Sequence, residues 1–132
     1  MILRIDHIGI AVKDVEEAAK LYTDTLGLEL EDIEVVAHRN VRVAIIPVGE
    51  NKIELLEPTG PDSKLAKFLE NRGEGLHHLA LQVDDIDQVL EELKKKGIPL
   101  IDEEPGIGAH QTRVAFLDPK GTKILLEMTE KK

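Results

Sequence analysis

The sequence predicts an α+β fold of two tandem β-α-β-β-β modules forming a curved mixed sheet around a central cavity. Three observations predict it. First, the chain repeats itself. His7-Ile8-Gly9-Ile10-Ala11-Val12-Lys13-Asp14-Val15 lies over His78-Leu79-Ala80-Leu81-Gln82-Val83-Asp84-Asp85-Ile86 at an offset of 71, and Arg42-Val43-Ala44 lies over Arg113-Val114-Ala115 at the same offset. Two copies mark a duplication rather than a solenoid. Second, several short runs place apolar residues at every second position, the period of a strand with one buried face. Third, the first strand of each half is followed by a run with helical apolar spacing.

The elements follow in order. A strand over residues 4–12 carries Ile8, Ile10 and Val12 on alternating positions. Asp14 is placed as an N-cap with Glu17 three residues on, the pattern of a capping box. Val15, Ala18, Ala19, Leu21, Tyr22 and Leu26 then form an apolar stripe that Gly27 ends. Three strands follow, near 28–36, 41–47 and 52–57, with the turn "VGEN" between the last two. The second half repeats the plan. It has a strand over 76–83, a helix capped by Asp85 with Ile86, Val89, Leu90 and Leu93 in its stripe, and strands near 99–103, 112–117 and 123–129. "DPKG" is the second turn. Between the halves, residues 58–75 read as a loop and a short helix, capped by Asp62 or Ser63 and ended by Gly73. The expected organisation is one domain over 1–132, with modules over about 3–57 and 76–129.

Composition narrows the function classes. The formal net charge of −9 sets the overall field against nucleic acid and anionic membranes. The chain has no cysteine, which excludes disulfides, thiolate nucleophiles and thiolate metal sites. No apolar run is long enough to span a bilayer, and the N-terminus lacks a signal pattern. The expectation is a cytoplasmic protein.

Face alternation singles out four residues. His7 shares its strand face with Gly9 and Ala11, and His78 shares its face with Ala80 and Gln82. Small residues beside a histidine leave a hollow where a core would want bulk. In "KIELLE" one face holds Lys52, Glu54 and Leu56; in "TKILLEM" one face holds Lys123, Leu125 and Glu127. Glu127 follows Glu54 by 73 residues, and a shift of two keeps the face. Each module thus offers one histidine from its first strand and one glutamate from its last. Two imidazoles and two carboxylates suit one divalent metal with positions left open for substrate, making the cavity metal-binding. His77 points the opposite way from His78 and reads as structural or as lying near the sheet edge. His38 and His110 read as solvated loop residues. "EELKKKG" reads as a solvated helix end, and "GIGAH" as a plain loop, since no helix follows it as in a phosphate-binding loop.

At this point the residues carry a resemblance. "DHIGIAV", "TKILLEM" and the paired modules resemble the vicinal-oxygen-chelate (glyoxalase/bleomycin resistance) superfamily. Within it, "KIELLEP", "DSKLAKFLENRGEGLHHLALQVDDID" and "KKKGIPLIDEEPGIGAH" resemble the methylmalonyl-CoA epimerases, over nearly the whole chain. The resemblance implies His7, Glu54, His78 and Glu127 as ligands of a divalent ion (Co, Ni, Zn, Mn or Mg). It implies an acyl-CoA substrate, a homodimer, and epimerisation by metal-assisted removal and return of an α-proton, with Glu127 and Glu54 as acid–base residues. Val43 stands where some epimerases carry an acid–base glutamate, and Asp118 where epimerases tend to carry a histidine. Lys52, Lys123, Arg42 and Arg113 are the candidates to offset the CoA charge. The alternatives are lactoylglutathione lyase chemistry of the glyoxalase I type, or a ligand-binding member of the same fold.

Overall fold

The computed structural model describes residues 1–132. Its chain forms two compact units. The first, Ile8–His77, holds the end of β1 (Ile2–Ala11), then α1 (Val15–Lys20), β2 (Asp32–Val36), β3 (Val41–Val48), β4 (Asn51–Pro58) and α2 (Lys64–Arg72). The second, Met1–His7 with His78–Lys132, holds the start of β1, most of β5 (Gly75–Val83), α3 (Ile86–Lys95), β6 (Gly106–Ile107), β7 (Arg113–Leu117), a helical turn α4 (Pro119–Thr122) and β8 (Leu126–Glu130). The α+β class and the doubled order of strand, helix and three strands are as the sequence predicts. No helix is long and apolar enough to cross a membrane.

In the first unit the strands lie in the order β2-β3-β4-β1. β3 and β4 form a hairpin with Val48 opposite Asn51, and Gly49 supplies the positive φ (62°) that a two-residue turn requires. Val12 N–H donates to the Leu56 carbonyl at 2.9 Å. In the second unit the order is β1-β5-β8-β7-β6. β5 runs parallel to β8, and β7 antiparallel to it, so the sheet is mixed. The start of β1 is held beyond its ladder as well: Asp84 N–H donates to the Met1 carbonyl, and the terminal ammonium pairs with the Asp84 carboxylate. The first seven residues therefore group with the second repeat rather than with their own.

Each unit has its own apolar core. The first is Val12, Val15, Ala19, Ala44, Ile46 and Leu55; the second is Val83, Ile86, Leu90, Ala115, Leu117 and Met128. These correspond one to one. The first five pairs are 71 residues apart, and the sixth is 73 apart. The two extra residues fall between β7 and β8, where α4 replaces the tight turn of the first unit. Asp118 caps α4 by accepting the Lys120 N–H at 2.9 Å. The expected caps of the longer helices also form: Asp14 accepts from Glu16 and Glu17, Asp85 from Gln88, and Ser63 from Ala66.

A polar latch recurs with the cores. Arg42 on β3 donates to Glu16 of α1 (2.9 Å) and to its cross-strand partner Glu57 (3.4 Å), whose carboxylate also accepts the Val15 N–H at 2.9 Å. In the second unit Arg113 donates to Asp87 (2.9 and 3.0 Å) and to its cross-strand partner Glu130 (3.3 Å), which accepts the Ile86 N–H at 3.0 Å. Hydrogen bonds from Arg113 hold the Asp87 carboxyl below its ordinary pKa. Each latch ties the first turn of a helix to the end of the last strand and answers an N–H the helix cannot satisfy itself.

Several expected boundaries move. After Lys20 the helix widens over Leu21–Thr25, and Leu26 N–H reaches back five residues to the Leu21 carbonyl. The wider turn shifts the apolar phase, so Tyr22 stays on the core while Leu21 and Leu26 are 54% and 58% exposed, off the expected stripe. The strand expected near 28–36 begins only at Asp32, because Leu28 N–H closes on the Tyr22 carbonyl. The strand expected near 99–103 reduces to a single bridge, Leu100 to Leu117. Pro99 and Pro105 remove donors there, and the Asp102 side chain takes the Phe116 N–H at 2.8 Å. The edge strand beside β7 is instead Gly106–Ile107, the start of "GIGAH". Gly108 then passes so close to β7 that a Cβ would lie 3.0 Å from Val114 Cγ1. The last strand starts at Leu126 rather than 123, because Lys123 is left-handed (φ 74°) where it ends α4.

The paired cores make a stability prediction. Leu90 is 2% exposed and is the large partner of Ala19. Leu90→Ala will lower unfolding free energy by about 2–5 kcal/mol, and Ala19→Leu, which overpacks the smaller core, by about 1–3 kcal/mol. Urea unfolding followed by circular dichroism reads both.

Candidate metal centre

Three of the four singled-out residues meet in the second unit. His7 comes from β1, His78 from β5 and Glu127 from β8, and all three are buried. His7 Nε2 lies 3.0 Å from His78 Nε2. Glu127 Oε1 lies 3.1 Å from His78 Nε2 and 3.8 Å from His7 Nε2. The two rings stand edge to face, 86° apart, and Phe116 packs edge to face on His78. Ladder register explains the approach. Ala80 is the direct neighbour of Glu127 across β5 and β8, and His78 is the next residue on that face. Ala80 is fully buried, and its single methyl leaves the space that the ring and the carboxylate fill.

The donor set fits a divalent cation. Two imidazole nitrogens and a carboxylate oxygen converge within 4.8 Å of one another, and the facing nitrogens can share at most one proton. A positive charge between them satisfies all three. Burial pushes the Glu127 carboxyl up, but hydrogen bonding toward His7 and His78 and electrostatic attraction to those rings outweigh it, bringing the pKa to about 2.

Glu54 belongs to the other unit. It sits on β4, 7% exposed, opposite Ile45 on β3. Val43 is a buried residue of β3, with Glu34 and Leu56 as its cross-strand partners. Arg42 and Arg113, considered for charge compensation of a substrate, have their guanidinium groups engaged in the latches. Lys123 leaves the expected strand face for the end of α4. His77 is half-buried with its ring against Phe68 at 4.8 Å, the structural place its strand face implies. His38 and His110 are exposed.

One site residue escaped sequence reasoning. Asp6 is 3% exposed, and its Oδ2 lies 2.8 Å from His7 Nδ1. The signal was present: "IDHIG" sets a carboxylate beside the ligand histidine inside a strand.

Comparison with known proteins places this site in context. The model of the Glyoxalase/Bleomycin resistance protein/Dioxygenase superfamily matches residues 6–116. The chain belongs to this superfamily. Among curated relatives, human mitochondrial methylmalonyl-CoA epimerase is 42% identical over 118 residues, covering 89% of this chain and 67% of that protein. The ethylmalonyl-CoA/methylmalonyl-CoA epimerase of Cereibacter sphaeroides is 43% identical over 122 residues, 91% of each. A solved methylmalonyl-CoA epimerase in complex with methylmalonyl-CoA and NH4+ matches 99% of this superfamily member and 96% of that chain, with a TM-score of 0.95 and 35% identity. This chain therefore spans about two thirds of the human relative and nearly all of the solved one.

The depressed carboxyl sets a pH dependence for the metal-free protein. A folded pKa near 2, against an ordinary 4.5, gives stabilisation that is complete above about 4.5 and is lost as pH falls through 2. Acid unfolding in the presence of chelator, read by circular dichroism, will be steeper in the wild type over that window than in Glu127→Gln.

Proposed function

We propose that this chain is a methylmalonyl-CoA epimerase, interconverting the (R) and (S) forms of an acyl-CoA by moving its α-proton. The reading rests on the buried His7–His78–Glu127 cluster in a chain that matches a methylmalonyl-CoA complex at a TM-score of 0.95. His7, His78 and Glu127 would hold a divalent metal, and Glu54, the counterpart of Glu127 in the first repeat, would be the fourth ligand. Nitrogen donors favour Co, Ni or Zn, with Mn and Mg further down the order. When bound, the metal supplies Lewis-acid polarisation of a carbonyl, which acidifies the adjacent carbon.

The chain's own residues carry the proton. Epimerisation needs removal on one face of the carbon and return on the other. Glu127 and Glu54 come from different repeats and take these two roles. Val43 has no proton to offer, so it assigns nothing to β3. Burial of Glu127 and the rings keeps water from competing for the transferred proton.

A homodimer accompanies this reading. Leu3 and Ile5 are 53% and 48% exposed on one face at the start of β1, an apolar strip that a second copy would cover. Light scattering on the purified protein will give twice the 14.7 kDa chain mass; the monomer mass excludes the dimer.

The deciding experiment is α-proton exchange on methylmalonyl-CoA in D2O, followed by mass spectrometry. Uptake will appear with Co²⁺, Ni²⁺ or Zn²⁺ and vanish with EDTA. Glu127→Gln and Glu54→Gln will each slow it by about 10²–10⁴-fold. No uptake by metal-loaded protein removes the epimerase reading. The hemithioacetal of methylglyoxal is then the next substrate, because a probable lactoylglutathione lyase of Synechocystis is 33% identical over 132 residues.

A further inference from the structure

We infer that Asp6 is a positioning residue that holds His7 in one tautomer and so aims its Nε2 lone pair at His78 and Glu127. The inference rests on the metal-centre reading above but stands on its own geometry. Asp6 and His7 are 3% and 4% exposed. The 2.8 Å contact joins Asp6 Oδ2 to His7 Nδ1, and Asp6 Oδ1 lies 3.3 Å from the Lys131 ammonium just past β8. Asp6 Oδ1 faces the Lys131 ammonium as an ion pair, so Oδ2 is the end that meets the ring, and a carboxylate oxygen accepts there. The proton of the histidine contact therefore sits on Nδ1, and a neutral ring so protonated presents its lone pair at Nε2.

Three elements converge on this arrangement. β1 supplies Asp6 and His7, β5 supplies His78, and the β8 segment supplies both Glu127 and, four residues on, Lys131. The same strand end thus carries a ligand and the counter-charge of the residue that orients another ligand. With Asn at position 6, either the amide oxygen or the amide NH₂ can face the ring, so neither tautomer is enforced. A metal must then select one form, which weakens binding. Loss of such an orienting partner costs about 10–100-fold in metal affinity.

The test uses two readouts on the full chain. Long-range ¹H–¹⁵N correlation of the His7 ring in chelator-treated protein reports its tautomer. Competition of Co²⁺ and Zn²⁺ against a chromophoric chelator reports affinity. The wild type will show the Nδ1–H form. Asp6→Asn will show a mixture or the Nε2–H form, with affinity about 10–100-fold lower at unchanged circular dichroism. Lys131→Met, at an exposed position, will move both readouts the same way by less, and it carries the test if Asp6→Asn fails to fold. An Nε2–H ring in the wild type, or affinity in the folded variants within twofold of wild type, overturns the inference. A wild type that binds neither ion yet keeps Nδ1–H on His7, with that tautomer lost in the variants, upholds the Asp6 role and overturns the metal reading instead.

Discussion

Two imidazole nitrogens 3.0 Å apart, with a carboxylate oxygen 3.1 Å from one of them, are the constraint on which the second unit depends. Facing lone pairs repel, and a buried carboxylate without partners costs several kcal/mol. The arrangement persists only if a shared proton or a cation stands among these atoms. It also requires that each side chain be aimed by a rigid element. Strands do this: in the β5–β8 ladder the pairing of Ala80 with Glu127 fixes which side chains share a face, and Ala80 leaves them room. Asp6 then contacts the His7 ring and Phe116 the His78 ring.

The apolar framework that carries this polar centre is written twice. Six core positions of one unit have six counterparts in the other, so one solution to helix-on-sheet packing serves both. The latches repeat as well, down to a glutamate that accepts the first N–H of the helix. The repeats differ where their demands differ. The first uses Ala19 where the second uses Leu90, and partly buried Tyr22 and Leu28 pack onto the first core. The first closes its last hairpin with two residues and the second with a helical turn, which accounts for the change in spacing from 71 to 73.

Grouping by compact unit crosses the grouping by repeat. His7 belongs to the first repeat in sequence and to the second unit in space, because the start of β1 lies beside β5. The histidines of both repeats therefore meet in one unit.

The sequence by itself determined the class of fold, the repeat and the helix caps, and it singled out four residues as candidate ligands. These follow from local rules: period two or 3.6, a capping carboxylate before a helix, a small residue beside a histidine. It misjudged Leu21, Leu26, the strand near 99–103 and the start of the last strand. There a widened helical turn, a side chain acting as acceptor in a ladder and a left-handed residue override propensity. Tertiary structure alone decided that His7, His78 and Glu127 converge, that Arg42 and Arg113 are taken up by latches, and that Asp6 backs His7. The physical reason is common to all three. Each depends on which strand lies beside which and in what register, and those are contacts between residues far apart in the chain that no local pattern encodes.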